Sequence, residues 1–346
     1  MTSTAPIPVT HAYAEAVAAG QTIEVAPGVH WLRMPLPFAL DHINLWLLED
    51  GDGVTMVDTG YTLPEVQAAW EQIWESFLRG RKITRLIITH FHPDHSGLAW
   101  WHCQHWGIMP WMTGAEWLSC GMALLGADPV NVEARLDFYA SHGVEESMLA
   151  EMRGGFSHFA HGTPRLPTAF RRITDNEEIS INGRRWIVRV GRGHAPEHAC
   201  LHCPELGVLI SGDQILPKIT PNVSVWFSEP FAEPLGQFLE SIERFKSLPK
   251  DTLVLPSHKL PFRGLHTRLD ELQRHHAARL HEAHAACETK PHTANEILKI
   301  MFRRDLDHHQ TGFALGESLA HLHHLVARGL LVREIDADGR VHFARA

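Results

Sequence analysis

The sequence HFHPDH, residues 90–95, contains four side chains of metal-binding type within six positions. It directly follows RLIIT, residues 85–89, an apolar and β-branched run that predicts a buried strand. Imidazole nitrogens and carboxylate oxygens are ligands that suit zinc. Because unpaired polar groups are costly to bury, so dense a cluster is difficult to explain without a bound metal. The segment therefore predicts a metal site in a loop at the end of a strand.

Three more candidate ligands stand alone at the ends of predicted strands: His194 in GRGHAPEH, Asp213 in SGDQ and His258 in LPSHKLPF. The runs VLISGDQI and TLVLPSH are apolar, and each delivers a polar residue at its C-terminal end. Each residue is weak evidence by itself. Together, and in this order, they indicate that several strands contribute to one site.

HFHPDH, GHAPEH, SGD and PSH, preceded by VDTG at residues 57–60, resemble the successive motifs of the metallo-β-lactamase superfamily. The resemblance covers residues 58–258 and implies an αββα sandwich, two mixed sheets between outer helices, with metals at one edge. It implies one metal on His90, His92 and His194, a second on Asp94, His95 and His258, and Asp213 bridging them. Asp58 is implied to orient a ligand or the motif loop without touching a metal. The alternative for Asp58 is a turn aspartate at a strand end.

The cofactors implied are two Zn2+ ions, with Mn2+ and Fe2+ as alternatives. Two such cations lower the pKa of a shared water, so that a metal-bridging hydroxide exists near neutral pH, and they polarise the substrate oxygen. Asp94 is the expected catalytic residue, because it can orient that hydroxide and handle its proton. No serine or cysteine near the motifs has a recognisable nucleophile setting, so no covalent intermediate is expected.

Differences between this sequence and individual branches of the superfamily reduce the number of functions that it predicts. Asp213 stands where the commonest group of zinc β-lactamases carries cysteine, which disfavours antibiotic hydrolysis. His92 and His95 are both present, whereas the di-iron oxygen-reducing branch changes part of this cluster to acidic residues, which disfavours a redox role. The chain has no room for the large inserted domain of the nucleic-acid-processing branch. Hydrolysis of a small ester, thioester or lactone is the leading prediction. Cleavage of single-stranded RNA is the first alternative, and a DNA-binding regulator with a structural metal site is the second.

Four residues close to the ligands are candidates for contact with a small, anionic substrate: Lys218, Lys259, Arg263 and His198. The three basic residues follow Asp213 and His258 closely, and the alternative is that they are loop charges facing solvent. His198 lies four residues after His194, where it either touches substrate or begins the next helix.

The predicted organisation is a hydrolase domain over residues 1–266, with a helical insertion at about 114–160, and a winged-helix domain over residues 267–346. The first 20 residues also predict a short helix. In the C-terminal part, TANE at residues 293–296 predicts a capping box and Asp338-Gly339 predicts a hairpin turn. Helices followed by a two-stranded wing are typical of a winged helix.

Charge argues against nucleic acid as a partner. The formal net charge is −9, from 31 Lys+Arg against 40 Asp+Glu, and residues 268–346 hold 11 of each sign. We therefore expect no DNA binding. The C-terminal part has one apolar stripe that needs cover from the hydrolase domain or from a second subunit in a homodimer, formed by Leu319, Leu322, Leu325 and Val326. Since no apolar run approaches a membrane span and no export signal is recognisable, a cytoplasmic protein without membrane contact is expected.

Overall fold

The structure is a computed structural model that describes residues 7–153 and 161–346. Its strands are Thr10–His11 (β1), Thr22–Ala26 (β2), Val29–Pro35 (β3), His42–Asp50 (β4), Gly53–Val57 (β5), Lys82–Ile87 (β6), Pro110–Met112 (β7), Arg171–Arg172 (β8), Glu178–Ile181 (β9), Arg184–Gly191 (β10), His198–Cys203 (β11), Val208–Gly212 (β12), Leu253–Pro256 (β13), Phe262–Arg263 (β14), Leu331–Ile335 (β15) and Val341–Arg345 (β16). The α-helices are Pro64–Ile73, Pro93–Ser96, Ala99–Trp106, Gly114–Leu124, Pro129–Ser141, Glu146–Arg153, Pro234–Phe245, Leu265–Thr289, Ala294–Met301 and His308–Ala327.

In the described part of the chain, two seven-stranded sheets form the centre of the molecule. One has the order β2-β3-β4-β5-β6-β7-β8 and the other β1-β14-β13-β12-β11-β10-β9. Both sheets are mixed. The pairs β5–β6, β6–β7 and β7–β8 of the first sheet and the pair β12–β13 of the second are parallel, and the remaining pairs are antiparallel. The facing strands bury one apolar cluster that includes Trp31, Trp46 and Trp186. Two further clusters cover the outer faces with helices, so the predicted mixed α/β sandwich is confirmed.

Two of the parallel pairs, β5–β6 and β12–β13, explain where the polar motifs meet. β5 ends at Val57, directly before Asp58, and β6 ends at Ile87, three residues before His90. β12 ends at Gly212, directly before Asp213, and β13 ends at Pro256, two residues before His258. Because parallel strands deliver their carboxyl ends to one edge of a sheet, these loops converge at one edge of the sandwich.

The described part of the predicted insertion is mainly helical. Three helices occupy Gly114–Leu124, Pro129–Ser141 and Glu146–Arg153, and residues 154–160 of the expected insertion lie outside the described residues. The predicted N-terminal helix is wrong for the described part of that segment, since Thr10–His11 instead forms a strand that pairs with β14. This pairing is a tertiary contact that no local pattern reveals.

The C-terminal part consists of three helices followed by the hairpin β15–β16. The first of these helices, Leu265–Thr289, starts just before the expected domain boundary and continues without a break. Thr293 and Glu296 form the predicted capping box, and the hairpin turns at residues 336–340. The apolar stripe is covered within the chain, because Leu319, Leu322 and Leu325 share a buried cluster with Phe238 and Ile242 of the hydrolase domain.

No helix among the described residues is long and apolar enough to cross a membrane.

Candidate metal centre

Seven side chains converge at the edge of the sandwich where the parallel strands end. They form two neighbouring groups, and the ligand atoms within each group lie within 4.8 Å of one another. The first group is His90, His92, His194 and Asp213, and the second is Asp94, His95 and His258. These are the residues that the sequence motifs predicted as ligands, and the structure brings all of them together.

Asp213 lies between the two groups. Its Oδ2 atom is 3.5 Å from Nε2 of His194 and 3.7 Å from Nε2 of His95, and its Oδ1 atom is 3.3 Å from Nε2 of His258. One carboxylate therefore faces donors from both groups. That is the position which the sequence resemblance implied for a bridging ligand.

The donor atoms fit a divalent cation. Nε2 of His95 and Oδ1 of Asp213 are buried and have no hydrogen-bond partner among the described residues. Nε2 of His90 lies 2.9 Å from Nδ1 of His92. Burial, together with neighbouring histidines, holds the pKa of His90 well below its usual value and lowers that of His92 to about 3. Several neutral nitrogens therefore direct lone pairs into one space, as a metal requires.

Backbone carbonyls and one carboxylate orient the ligand rings from behind. Nδ1 of His95 lies 2.8 Å from Asp58 Oδ2, Nδ1 of His194 lies 2.8 Å from the Asn222 carbonyl, and Nδ1 of His258 lies 2.9 Å from the His42 carbonyl. Each Nδ1–H donates to the oxygen beside it, so that in the neutral ring the lone pair is on Nε2, the atom directed at the centre. Three candidate ligands are oriented in this way, namely His95, His194 and His258.

The chain matches known protein families over most of its length. Residues 39–258 match the family described as the metallo-beta-lactamase superfamily, and residues 280–346 match a metallo-beta-lactamase-like C-terminal domain. The chain belongs to the metallo-beta-lactamase superfamily. A solved beta-lactamase domain protein from Burkholderia ambifaria is 46% identical, with a TM-score of 0.92 over 98% of both chains.

Two curated relatives are named as hydrolases. A probable metallo-hydrolase of Bacillus subtilis is 23% identical over 78% of this chain and 84% of its own length. A hydroxyacylglutathione hydrolase of Idiomarina loihiensis is 23% identical over 64% of this chain and 63% of its own length. With a cluster of histidine and aspartate side chains that could hold metal at one edge, this superfamily member is a metal-dependent hydrolase.

Asp58 connects the first motif of this superfamily member to the HFHPDH loop. It is buried, has a left-handed backbone with φ of 62°, and accepts hydrogen bonds from the backbone N–H and the hydroxyl of Thr89 at 2.7 and 2.8 Å. With His95 it has three donors around one carboxylate. A left-handed aspartate costs backbone free energy, so the surrounding contacts must hold it in place.

Glu116 is a buried residue at the site that the sequence analysis missed. Its Oε2 accepts the Phe91 N–H at 3.0 Å and its Oε1 accepts the Glu197 N–H at 2.6 Å. It therefore joins the loop of His90 and His92 to the loop of His194. Burial raises the pKa of Glu116 to about 7. The only available signal was an acidic residue at a helix start, which is ordinarily a solvated position.

Two of the four predicted substrate residues have side chains that form hydrogen bonds with backbone groups of the protein. His198 begins strand β11 and not a helix, is fully buried, and accepts the Asp213 N–H on Nε2 at 3.0 Å, so it supports the Asp213 loop. The guanidinium of Arg263 donates to the Asp251 carbonyl. Asp251 precedes β13, whose opposite end carries His258, so Arg263 points away from the metals.

The two lysines remain predictions. Lys218 is exposed. Lys259 has a left-handed backbone with φ of 68°, donates its N–H to Nε2 of His42, and accepts hydrogen bonds on its carbonyl from Asn44 and Arg33. The backbone of Lys259 thus helps to fix the loop that carries His258.

Proposed function

We propose that the chain binds two zinc ions and hydrolyses a small ester, thioester or lactone. The observation that carries this proposal is the position of Asp213, whose carboxylate faces donors from both groups. The hydroxyacylglutathione hydrolases among the relatives support a thioester or related acyl substrate.

The chain supplies the ligands and one proton acceptor. Two divalent cations, when bound, would lower the pKa of water and polarise the carbonyl oxygen of a substrate. His90, His92 and His194 would hold one ion, Asp94, His95 and His258 the other, and Asp213 both. Asp94 is more exposed than its partners, with 18% of its side chain accessible, and its Oδ2 lies 3.5 Å from Nε2 of His258. Its carboxylate can accept the proton of the attacking water and pass it on.

Metal analysis and hydrolysis assays of the same variants test the proposal. Wild-type protein should contain about two zinc ions per chain and hydrolyse acyl-thioesters, esters or lactones only when loaded. Asp213→Ala should lose metal and activity, whereas Asp94→Asn should lose turnover by far more than it loses stability. Asp52→Ala, in the exposed turn between β4 and β5, is the matched control. Full metal content and activity in folded Asp213→Ala protein would exclude the bridging role.

We also propose that residues 267–346 form a winged-helix-like unit that shapes the active-site entrance and does not bind DNA. Its order of helices before a hairpin, and a β-bridge between His292 and Phe343, support this assignment. Its balanced charge offers little attraction to phosphates. Duplex DNA titrated at about 50 mM salt, where electrostatic binding is strong, should give no saturable micromolar complex. A complex abolished by Arg328→Ala would contradict the proposal.

A further inference from the structure

A row of aromatic rings runs from the hydrolase domain to the C-terminal helix His308–Ala327. Phe38, in the loop between β3 and β4, packs edge-on against Tyr61 with 5.4 Å between ring centroids. It also lies parallel to His309, at 6.4 Å. His309 lies 5.0 Å from Phe313, which lies 5.6 Å from Trp226. We call these five residues the aromatic row.

The row ends beside both groups of metal ligands. At one end, Tyr61 follows Thr59, whose N–H donates to the His95 carbonyl at 2.9 Å. The Tyr61 ring and Pro93, the residue before Asp94, both lie against Gly162, since a Cβ atom added at position 162 would clash with each of them. The Tyr61 end of the row therefore lies beside the second ligand group.

At the other end, the Phe313 carbonyl lies 3.3 Å from the Ser224 hydroxyl, two residues before Trp226. The same segment contains Asn222, whose carbonyl holds His194. The row thus spans the centre from one ligand group to the other, and His309 and Phe313 come from the C-terminal domain.

Part of the row is open to solvent. Phe38 is 40% exposed and Phe313 is 36% exposed, and only Phe231 is also exposed among the phenylalanines of the described residues. His309 is exposed and Trp226 is half-buried. Rings that serve only to pack two domains together would be covered, whereas these retain an accessible apolar surface beside a metal centre.

We infer that the aromatic row binds an apolar, preferably aromatic, group of the substrate, and that the C-terminal helix provides one wall of this subsite. The inference rests on the proposed acyl hydrolysis. When the carbonyl of a substrate lies at the metals, the rest of the substrate must contact the residues around the metal centre. Ring faces and edges bind aromatic groups by offset or edge-on packing. Arg263, the predicted contact for an anionic group, points to the other end of β13.

A set of four thioesters tests the inference: S-ethyl and S-benzyl thioacetate, and S-ethyl and S-benzyl phenylthioacetate. Released thiol can be measured with a thiol reagent at low background, because all five cysteines of the chain are buried. The metal-loaded protein should prefer a benzyl-containing substrate over the ethyl thioacetate by about tenfold or more in kcat/KM. Phe313→Ala and Phe38→Ala should remove most of that preference, because they should lower kcat/KM for the benzyl-containing substrates by a much larger factor than for ethyl thioacetate.

Phe231→Ala is the matched control, because Phe231 is 75% exposed and packs under Arg333 outside the row. Phe313→Tyr keeps the ring and should keep the preference. An equal rate for all four thioesters, or a preference that survives both alanine variants, would overturn the inference while leaving the proposed hydrolysis standing.

A binding measurement separates the two proposals if no thioester is hydrolysed. Calorimetry would compare phenylacetate and benzyl alcohol with acetate and ethanol on the metal-loaded protein. Tighter binding of an aromatic compound that is lost in Phe313→Ala protein would support the row as a binding surface, although the proposed hydrolysis had failed. Equal binding of aromatic and aliphatic compounds would overturn the inference as well.

Discussion

The carbonyl oxygen of Asn222 lies 2.8 Å from Nδ1 of His194 and accepts a hydrogen bond from its N–H. The amide oxygen of Asn222 lies 2.7 Å from the hydroxyl of Ser224, which also lies within 3.3 Å of the Phe313 carbonyl in the C-terminal helix. A metal ligand and the C-terminal domain are therefore connected through one short segment. The position of His194 should depend on how that helix packs.

Replacing Gly316 with alanine tests this dependence. A Cβ atom at position 316 would lie 2.7 Å from Cβ of Ser224, so the segment that holds His194 would have to move. We expect Gly316→Ala to lower stability by about 1–3 kcal/mol and to weaken metal binding at the first group. Thermal unfolding and metal titration measure the two effects.

Gly121→Ala is the control for Gly316→Ala. Gly121 also lies within a helix, Gly114–Leu124, but a Cβ atom there meets nothing within 4 Å. This control should gain up to about 1 kcal/mol from helix propensity and keep its metal affinity. Unchanged metal affinity in both variants would show that His194 is positioned independently of the C-terminal helix.

Asp58→Asn should weaken metal binding by about 10- to 100-fold without unfolding the protein. Asparagine tolerates the left-handed backbone of this position, so the turn should persist. Its amide, however, presents an N–H to a site where Thr89 and His95 already donate. Zinc titration against a competing chelator provides the measurement, with Asp52→Asn as the exposed control. Wild-type affinity in Asp58→Asn protein would mean that this carboxylate only shapes a turn.

Metal binding should release protons from the second ligand group. Burial alone would lower the pKa of His258, but Asp213 and Asp94 raise it to about 10, and the pKa of His95 is likewise raised by Asp94 and Asp58 against the effect of burial. Both rings must be neutral to bind a metal, so apparent affinity should increase with pH up to about 10. Calorimetry at pH 8 in buffers of different ionisation enthalpy measures the protons released. Heats that are independent of the buffer would contradict the prediction.

The raised pKa of His258 also makes the stability of the metal-free protein depend on pH. The folded-state pKa of His258 lies above its ordinary value of 6.5, so its contribution is fully present below about pH 6.5. That contribution is lost as pH rises through 10. Metal-free protein should therefore lose stability across this range, and zinc should suppress the loss because a bound histidine no longer titrates.

The candidate ligands were predictable from the sequence because each follows a strand closely along the chain. His90, Asp213 and His258 each follow an apolar run, and a strand that ends at the sheet edge delivers the next residues to the site whatever the remainder of the fold does. The capping box at Thr293 and the turn at Asp338-Gly339 were predictable for a similar reason, since both are made by neighbouring residues.

The supporting residues depend on contacts between distant segments. Asn222 lies 28 residues from His194 and Glu116 lies 25 residues from Phe91, and nothing in either local sequence marks such a partner. Arg263 illustrates the converse, because closeness in sequence to His258 did not put its guanidinium near the metals. Because β14 runs antiparallel to β13, Arg263 lies towards the end of β13 opposite to His258. The direction of a strand depends on its partners in the sheet and not on the local sequence.

Glu116→Gln should remove a pH dependence from the stability of the metal-free protein. Burial raises the pKa of Glu116 from 4.5 to about 7, and the ionisable groups facing it are Glu197, His95 and Cys120. Because the folded-state pKa exceeds the unfolded one, the stabilising contribution is fully present below pH 4.5 and is lost as pH rises through 7. The unfolding free energy of wild type relative to Glu116→Gln should therefore fall by on the order of 3 kcal/mol across that window.

Chemical denaturation of metal-free protein at a series of pH values measures this difference. Metal-free protein is required, because nearby bound cations would stabilise the carboxylate and lower the pKa of Glu116. Glu75→Gln, at an exposed position, is the control and should follow the wild-type curve at every pH. If the Glu116→Gln and wild-type curves ran parallel from pH 4.5 to 7.5, the carboxyl between the two ligand loops would be ionised throughout, with its two N–H donors outweighing burial.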